Sequence, residues 1–201
     1  MSSILESQLD LRPGPRLTVV DDDHRVNVKR AEAAVAELLT ALGRDVTNEH
    51  LADTPRRVAA SLLELLTPRE FTMTTFPNEE EYSELVLVRD IPFDSLCEHH
   101  LLPFRGVAHV GYVPGDRLVG LSKLARVVEL FARDLQVQER LTKQIAEYLQ
   151  ENLNARGVGV VLEAEHLCMS MRGVHAGGAR TKTATYLGVL TENPSMRAQF
   201  A

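Results

Sequence analysis

Gly106-Val107-Ala108-His109-Val110-Gly111-Tyr112 is the stretch from which the fold is read. Short, apolar and bounded by turn residues, it reads as a strand. Pro114-Gly115-Asp116 then turns the chain, and from Ser122 the apolar period lengthens to that of a helix. Upstream, Leu85-Val86-Leu87-Val88-Arg89-Asp90-Ile91 reads as an earlier strand. Downstream, the helical stretch runs from Ser122 to about Leu153, with a break near Asp134 and Leu141, Ile145, Tyr148 and Leu149 on the buried face of its second half. Val158 to Met171 is a long β-rich run, and Lys182 to Leu190 a last strand.

Two helices precede these elements. The first begins at Val26, aligns Ala31, Ala34, Val35, Leu38, Leu39 and Leu42, and ends at a C-cap on Gly43. The second opens on Asp53 or Thr54 with Pro55 in its first turn. It carries Val58, Leu62, Leu63 and Leu66 and stops at Pro68. Helices, strand pair, helices, strand pair is the pattern of an α+β domain with an antiparallel sheet. Residues 1–24, polar and with Pro13 and Pro15, read as a flexible arm, followed by a helical region over 25–70 and a main domain over 71–201.

The chain has 201 residues, 44% hydrophobic and 25% charged, the balance of one soluble globular domain. It lacks Trp and has 5% aromatic residues, which argues against a base-stacking nucleic-acid surface. The net charge of −6 repels nucleic acid and anionic membrane, so an anionic ligand needs a local basic pocket. No stretch has the length of a membrane span, and the acidic N-terminus lacks the apolar core of a signal peptide. A cytoplasmic protein is expected, in which the two cysteines, Cys97 and Cys168, stay unpaired.

Both cysteines lie beside histidines. In Cys97-Glu98-His99-His100 the Cys and the His three residues on can wrap one tight turn around a tetrahedral ion. In His166-Leu167-Cys168, residues two apart on a strand project to one face, toward whatever the first motif holds. Cys97, His100 and Cys168 suit Zn²⁺ and leave a fourth position for water, which becomes acidic enough to supply hydroxide near neutral pH. A closed structural site with a fourth His, or a metal-free pocket of buried thiols, stands as the alternative.

Gly120-Leu121-Ser122-Lys123-Leu124-Ala125-Arg126 has the form of a helix N-terminus with Ser122 as cap. Lys123 and Arg126 share a face there, against the helix dipole, which an anion such as phosphate between them would offset. A solvated basic helix end reads equally from this segment alone. Glu139 offers two acceptors that match the N1–H and amino group of a guanine edge, or is an ordinary first-turn acid. Arg172 is a further cation for the pocket, or one half of a surface salt bridge.

Four blocks then carry a resemblance. Cys97-Glu98-His99-His100-Leu101-Leu102-Pro103-Phe104, Gly120 to Arg126, Gln136-Val137-Gln138-Glu139-Arg140-Leu141-Thr142 and His166-Leu167-Cys168-Met169-Ser170-Met171-Arg172-Gly173-Val174 resemble the signature blocks of the GTP cyclohydrolase I family, in its order and separations. The likeness runs from about Arg25 to the C-terminus and includes Thr54-Pro55-Arg56-Arg57.

The resemblance implies the tunnelling fold, with paired strands joined around an oligomeric barrel, helices packed on one side of the sheet and an N-terminal helical hairpin. It also implies a toroidal homodecamer with active sites at subunit interfaces. It makes Cys97, His100 and Cys168 zinc ligands, and His99 and His166 catalytic with Ser122 assisting. Gln138 and Glu139 become the guanine-reading pair. Ser122, Lys123, Arg126 and Arg172 form the triphosphate pocket, with Arg57 reaching in from a neighbouring subunit.

The implied reaction opens GTP at guanine C8, with His166 protonating the purine. It releases formate and 7,8-dihydroneopterin triphosphate, the entry to tetrahydrofolate and other pterins. One segment departs from the family pattern: Ala184-Thr185 stands where a Thr-Ser ending is usual, and Arg180 and Lys182 add charge. Three other readings compete: a non-catalytic zinc- or pterin-binding relative, a nitrile reductase of the same fold, and the same reaction in a deazaguanine or antibiotic pathway.

Overall fold

The computed structural model describes residues 26–201, so the arm expected over 1–24 lies outside the described residues. Helix α1 (Val28–Ala41) starts where the Asn27 side-chain oxygen accepts from the Arg30 N–H at 2.9 Å, and Gly43 follows its end in the left-handed conformation, φ +73°. Helix α2 (Thr54–Leu65) has Pro55 in its first turn. Asp53 stands at its N-cap but makes no cap bond; its carboxylate holds Arg56 and Arg57 instead. The two helices pack on each other, and no residue of α1 is buried. Leu38 and Leu42, on the apolar stripe of the first helix, stay 58% and 65% exposed.

The main sheet has the order β5-β2-β3-β6-β7. Its members are β2 (Val86–Cys97), β3 (Pro103–Val113), β5 (Leu135–Gln136), β6 (Gly157–His166) and β7 (Thr181–Gly188). All pairings are antiparallel except the short β2–β5 ladder, which is parallel. That ladder occupies the helix break expected near Asp134. A small second sheet pairs β1 (Thr75–Pro77) with β4 (Arg117–Val119).

The strand expected over 85–91 runs on to Cys97, with a bulge between Val88 and Ile91. Asp90 sits there at φ +57°, and its N–H donates to Nδ1 of buried His109 at 3.2 Å. Such bulges re-aim a strand. The β-rich run expected over 158–171 stops as a strand at His166; Leu167–Ser170 is a helical turn, α5.

Helices α3 (Leu121–Ala132) and α4 (Gln138–Leu153) cover one face of the sheet. Leu124, Val127, Leu141, Ile145 and Leu149 meet Phe104, Ala108, Val110, Val158, Val160 and Leu162 there, all fully buried. The N-cap of α3 is Gly120, not Ser122, which lies inside the first turn and makes no cap bond. A 3-10 turn (Val189–Thr191) and the C-terminal helix α6 (Pro194–Ala198) close the opposite face.

On that face Phe200, 1% exposed, plugs a slot with Val113, Val161 and Leu190. The slot exists because Gly159 has no side chain: a Cβ there would lie 2.5 Å from the Phe200 ring. Phe200→Ala empties it and is expected to cost about 3–5 kcal/mol, read as a lower midpoint in urea with unchanged slope. A loss under about 1 kcal/mol would mean the slot collapses freely.

Candidate active site

Strand β2 ends at Cys97 and the chain reverses at once. The Cys97 carbonyl accepts from the N–H of His100 at 3.2 Å and of Leu101 at 2.9 Å. Leu101 adopts φ +53°, and the Cys97 N–H donates to Leu102 at 2.9 Å, which launches β3 at Pro103. The Glu98 N–H donates to Gln136 in β5 at 3.1 Å. This anchored turn leaves Cys97 buried and lifts His99 and His100 to the surface.

Register brings the second motif to the same place. Phe104 of β3 pairs with His166, the last residue of β6, and Cys168 follows on α5. Expecting His166 and Cys168 to share the face of one strand is therefore corrected: the strand has ended, and a helical turn carries the thiol. Its cause is local, since Leu167-Cys168-Met169-Ser170 has no β-branched residue to favour extension.

The ligand atoms of Cys97, His100 and Cys168 nevertheless lie within 4.8 Å of one another. Cys97 Sγ is 3.5 Å from His100 Nδ1. Zinc bonds of about 2.3 Å to sulfur and about 2.0–2.1 Å to nitrogen at a tetrahedral angle require an S···N separation of about 3.6 Å. The donor set therefore fits a zinc-sized ion. Burial pushes the Cys168 thiol up, and the neighbouring Cys97 pushes it further; a cation between them is what lets both ionise. His99 is outside this group among the described residues. Its Nδ1 is 3.9 Å from Cys97 Sγ, and its Nε2 3.5 Å from the Glu98 carboxylate.

His166 stands beside the cluster. Its ring stacks on Phe104 with centroids 4.6 Å apart and planes 2° from parallel, and its Nε2 lies 2.8 Å from Gln138 Oε1. Burial pushes its pKa down, partly offset by the Glu139 carboxylate. Arg172 is exposed just past α5, near enough to favour the Cys168 thiolate.

Ser122, Lys123 and Arg126 lie on α3 and Arg57 on α2. No hydrogen bond or ion pair among the described residues joins them to the cluster. Arg126 binds Glu129 at 2.9 Å, a carboxylate that also holds Arg69 and Arg133. Arg57 is held by Asp53, and Lys123 lies 6.0 Å over the Phe71 ring.

Four further residues support the site through contacts that their spacing in the chain does not foretell. Phe104 is the stacking floor of His166. Thr142 and Thr183 share the polar network under Gln138. Arg140 ties Glu98 to the Leu135 carbonyl, with its Nε on Gln136 at 3.0 Å, and so braces the metal turn. Only a chain pairing across the sheet reveals these contacts. In the divergent 175–186 segment, Lys182 pairs with Glu163 at 2.8 Å, while Thr181 and Thr183 face Gln138.

A mostly antiparallel sheet with helices on one face and, at its strand ends, a Cys–His–Cys cluster that could hold a metal ion defines an α+β scaffold with a candidate metal site. Residues 31–201 match the GTP cyclohydrolase I family profile. A protein named GTP cyclohydrolase 1 from Mycobacterium leprae (strain Br4923) is 48% identical, covering 98% of this chain and 96% of its own length. One of the same name from Mycobacterium tuberculosis (strain ATCC 25618 / H37Rv) is 50% identical over 96% of both. Another, from Mycolicibacterium vanbaalenii, is 53% identical over 87% of this chain and 89% of its own. A solved structure, an archaeosine synthase QueF-like protein in the apo form, aligns at TM-score 0.44 and 15% identity over 52% of this chain and 93% of its own.

The chain belongs to the GTP cyclohydrolase I family, and its α+β architecture is that family's tunnelling fold.

Proposed function

We propose that this chain hydrolyses GTP at guanine C8 to formate and 7,8-dihydroneopterin triphosphate, the first step toward tetrahydrofolate and related pterins. The observation that carries the reading is the meeting of Cys97, His100 and Cys168 from the ends of two strands, with His166 alongside. Zinc held by those three side chains would supply Lewis acidity and make water acidic near neutral pH.

The chain's own groups do the rest. His166 exchanges a proton with the purine, whose C8 becomes electrophilic once N7 is protonated. His99 and Ser122 assist the later proton transfers that open and re-close the ribose. Glu139, beside His166, accepts from the guanine N1–H and amino group; Gln138, whose amide oxygen lies 2.8 Å from His166 Nε2, joins the same subsite through that histidine. Lys123, Arg126 and Arg172 neutralise the triphosphate, with Arg57 from a neighbouring copy. A homodecamer whose subunits complete one another's sites is the assembly that goes with this reading.

The domain reading is an arm over 1–24, a helical region over 25–70 and the catalytic domain over 71–201. A cytoplasmic setting is supported by the lack, among the described residues, of any helix long and apolar enough to cross a membrane. Neither nucleic acid nor a membrane is a partner in this reading.

Incubation with GTP is expected to yield formate and, after oxidation, a fluorescent pterin. Both stop when a chelator strips the protein and return with added zinc. Unchanged product from fully stripped protein would overturn the proposal.

A further inference from the structure

We infer that Gln138 is a positioning residue that fixes the tautomer of His166, leaving Nδ1 as the ring atom that exchanges a proton with the substrate. This rests on the reading of His166 as the proton-transfer group. It differs from a role for Gln138 in reading guanine.

The amide of Gln138 is 1% exposed, and its orientation follows from what surrounds it. Its Nε2 lies 3.1 Å from the Leu162 carbonyl and 3.0 Å from the Thr181 carbonyl. Carbonyl oxygens only accept, so the amide nitrogen must occupy that side. A third neighbour, Thr183 Oγ1 at 3.1 Å, agrees. The Thr142 hydroxyl donates to the Gln138 backbone carbonyl at 2.7 Å. It therefore accepts from Thr183, 2.6 Å away, and Thr183 is left with a lone pair for the amide.

Oε1 of Gln138 thus faces His166 Nε2 at 2.8 Å. An amide oxygen cannot donate, so Nε2 carries the hydrogen, and in the neutral ring Nδ1 is bare. Turning the ring over would put a carbon at that 2.8 Å contact, nearer than the usual 3.3–3.6 Å, roughly, of a C–H···O approach. The parallel stack on Phe104 holds the ring plane in the same pose.

Nδ1 is therefore the ring nitrogen open to take or give a proton. Nε2–H stays bonded to Gln138 in both states, so the ring need not rotate between accepting and donating. The network also explains what Thr183 of the divergent segment does, since its hydroxyl holds the amide that holds the histidine.

The test has two arms on the zinc-loaded protein. The ¹⁵N spectrum of histidine-labelled protein, with His166 assigned by its loss in His166→Ala, should show a protonated Nε2 and a bare Nδ1. In Gln138→Met the signal should move toward a mixture of tautomers. For GTP turnover, Gln138→Met should lower kcat by about 10–100-fold, within the range of a positioned acid–base group, with KM changed less than about twofold.

A protonated Nδ1 in the wild-type ring overturns the inference. So does a raised KM with unchanged kcat, which would make Gln138 a reader of the base, or no change in either constant. The wild-type spectrum decides the matter even if the variant does not fold. It also needs no turnover, so a chain inactive on GTP would sink the functional reading while leaving the tautomer standing.

Discussion

Cys168→Ala is expected to abolish zinc uptake and lower GTP turnover by at least about a thousandfold, the several kcal/mol that a metal supplies to a developing charge. The chain should still fold. Cys168 sits on a one-turn helix at the edge of the core, only partly buried, and the sheet beneath is pinned by ladders from Phe104–His166 to Val113–Gly157. Losing one small side chain there costs about 1–2 kcal/mol, which lowers Tm by a few degrees in a chain of this size. Circular dichroism and metal analysis on the same sample separate the outcomes. Loss of the folded signal along with the metal would mean a structural site, and the catalytic reading would fail.

The second large effect is expected at His166. His166→Ala removes an imidazole stacked on Phe104 and hydrogen-bonded to Gln138, while leaving Cys97, His100 and Cys168 intact. Turnover should fall by about 10²–10⁴-fold, the usual contribution of a positioned acid–base group. Zinc content should stay unchanged, because His166 lies outside the ligand group. Full activity in this variant would end its role as the proton-transfer residue. A parallel loss of zinc would instead make it part of the metal's support.

Much of the architecture was legible because its signals are local. Gly43 and Pro55 punctuate the helical hairpin as expected. The break near Asp134 appears as the gap between α3 and α4. The two cysteine–histidine motifs were expected to meet, and the ligand atoms of Cys97, His100 and Cys168 lie within 4.8 Å of one another.

What was not legible depends on chain that meets only after folding. One local sign was overlooked, however: Leu167 to Ser170 lacks the β-branched residues of the strand before it, and β6 stops at His166. Ser122 has the right chemistry for a cap, but Gly120, next to the Thr74 carbonyl it bonds at 3.0 Å, takes the position. Gln138 reads from sequence only as one of a pair with Glu139; its contacts with the Leu162 and Thr181 carbonyls of β6 and β7 appear once α4 lies on the sheet. Phe200 is an ordinary C-terminal residue until Gly111 and Gly159 open a slot for its ring.

X-ray absorption at the zinc edge of the loaded protein tests the central claim most directly. The expected spectrum has two sulfur ligands near about 2.3 Å, one imidazole nitrogen, and one non-protein oxygen that GTP perturbs. Four protein ligands, or fewer than two sulfurs, would contradict it.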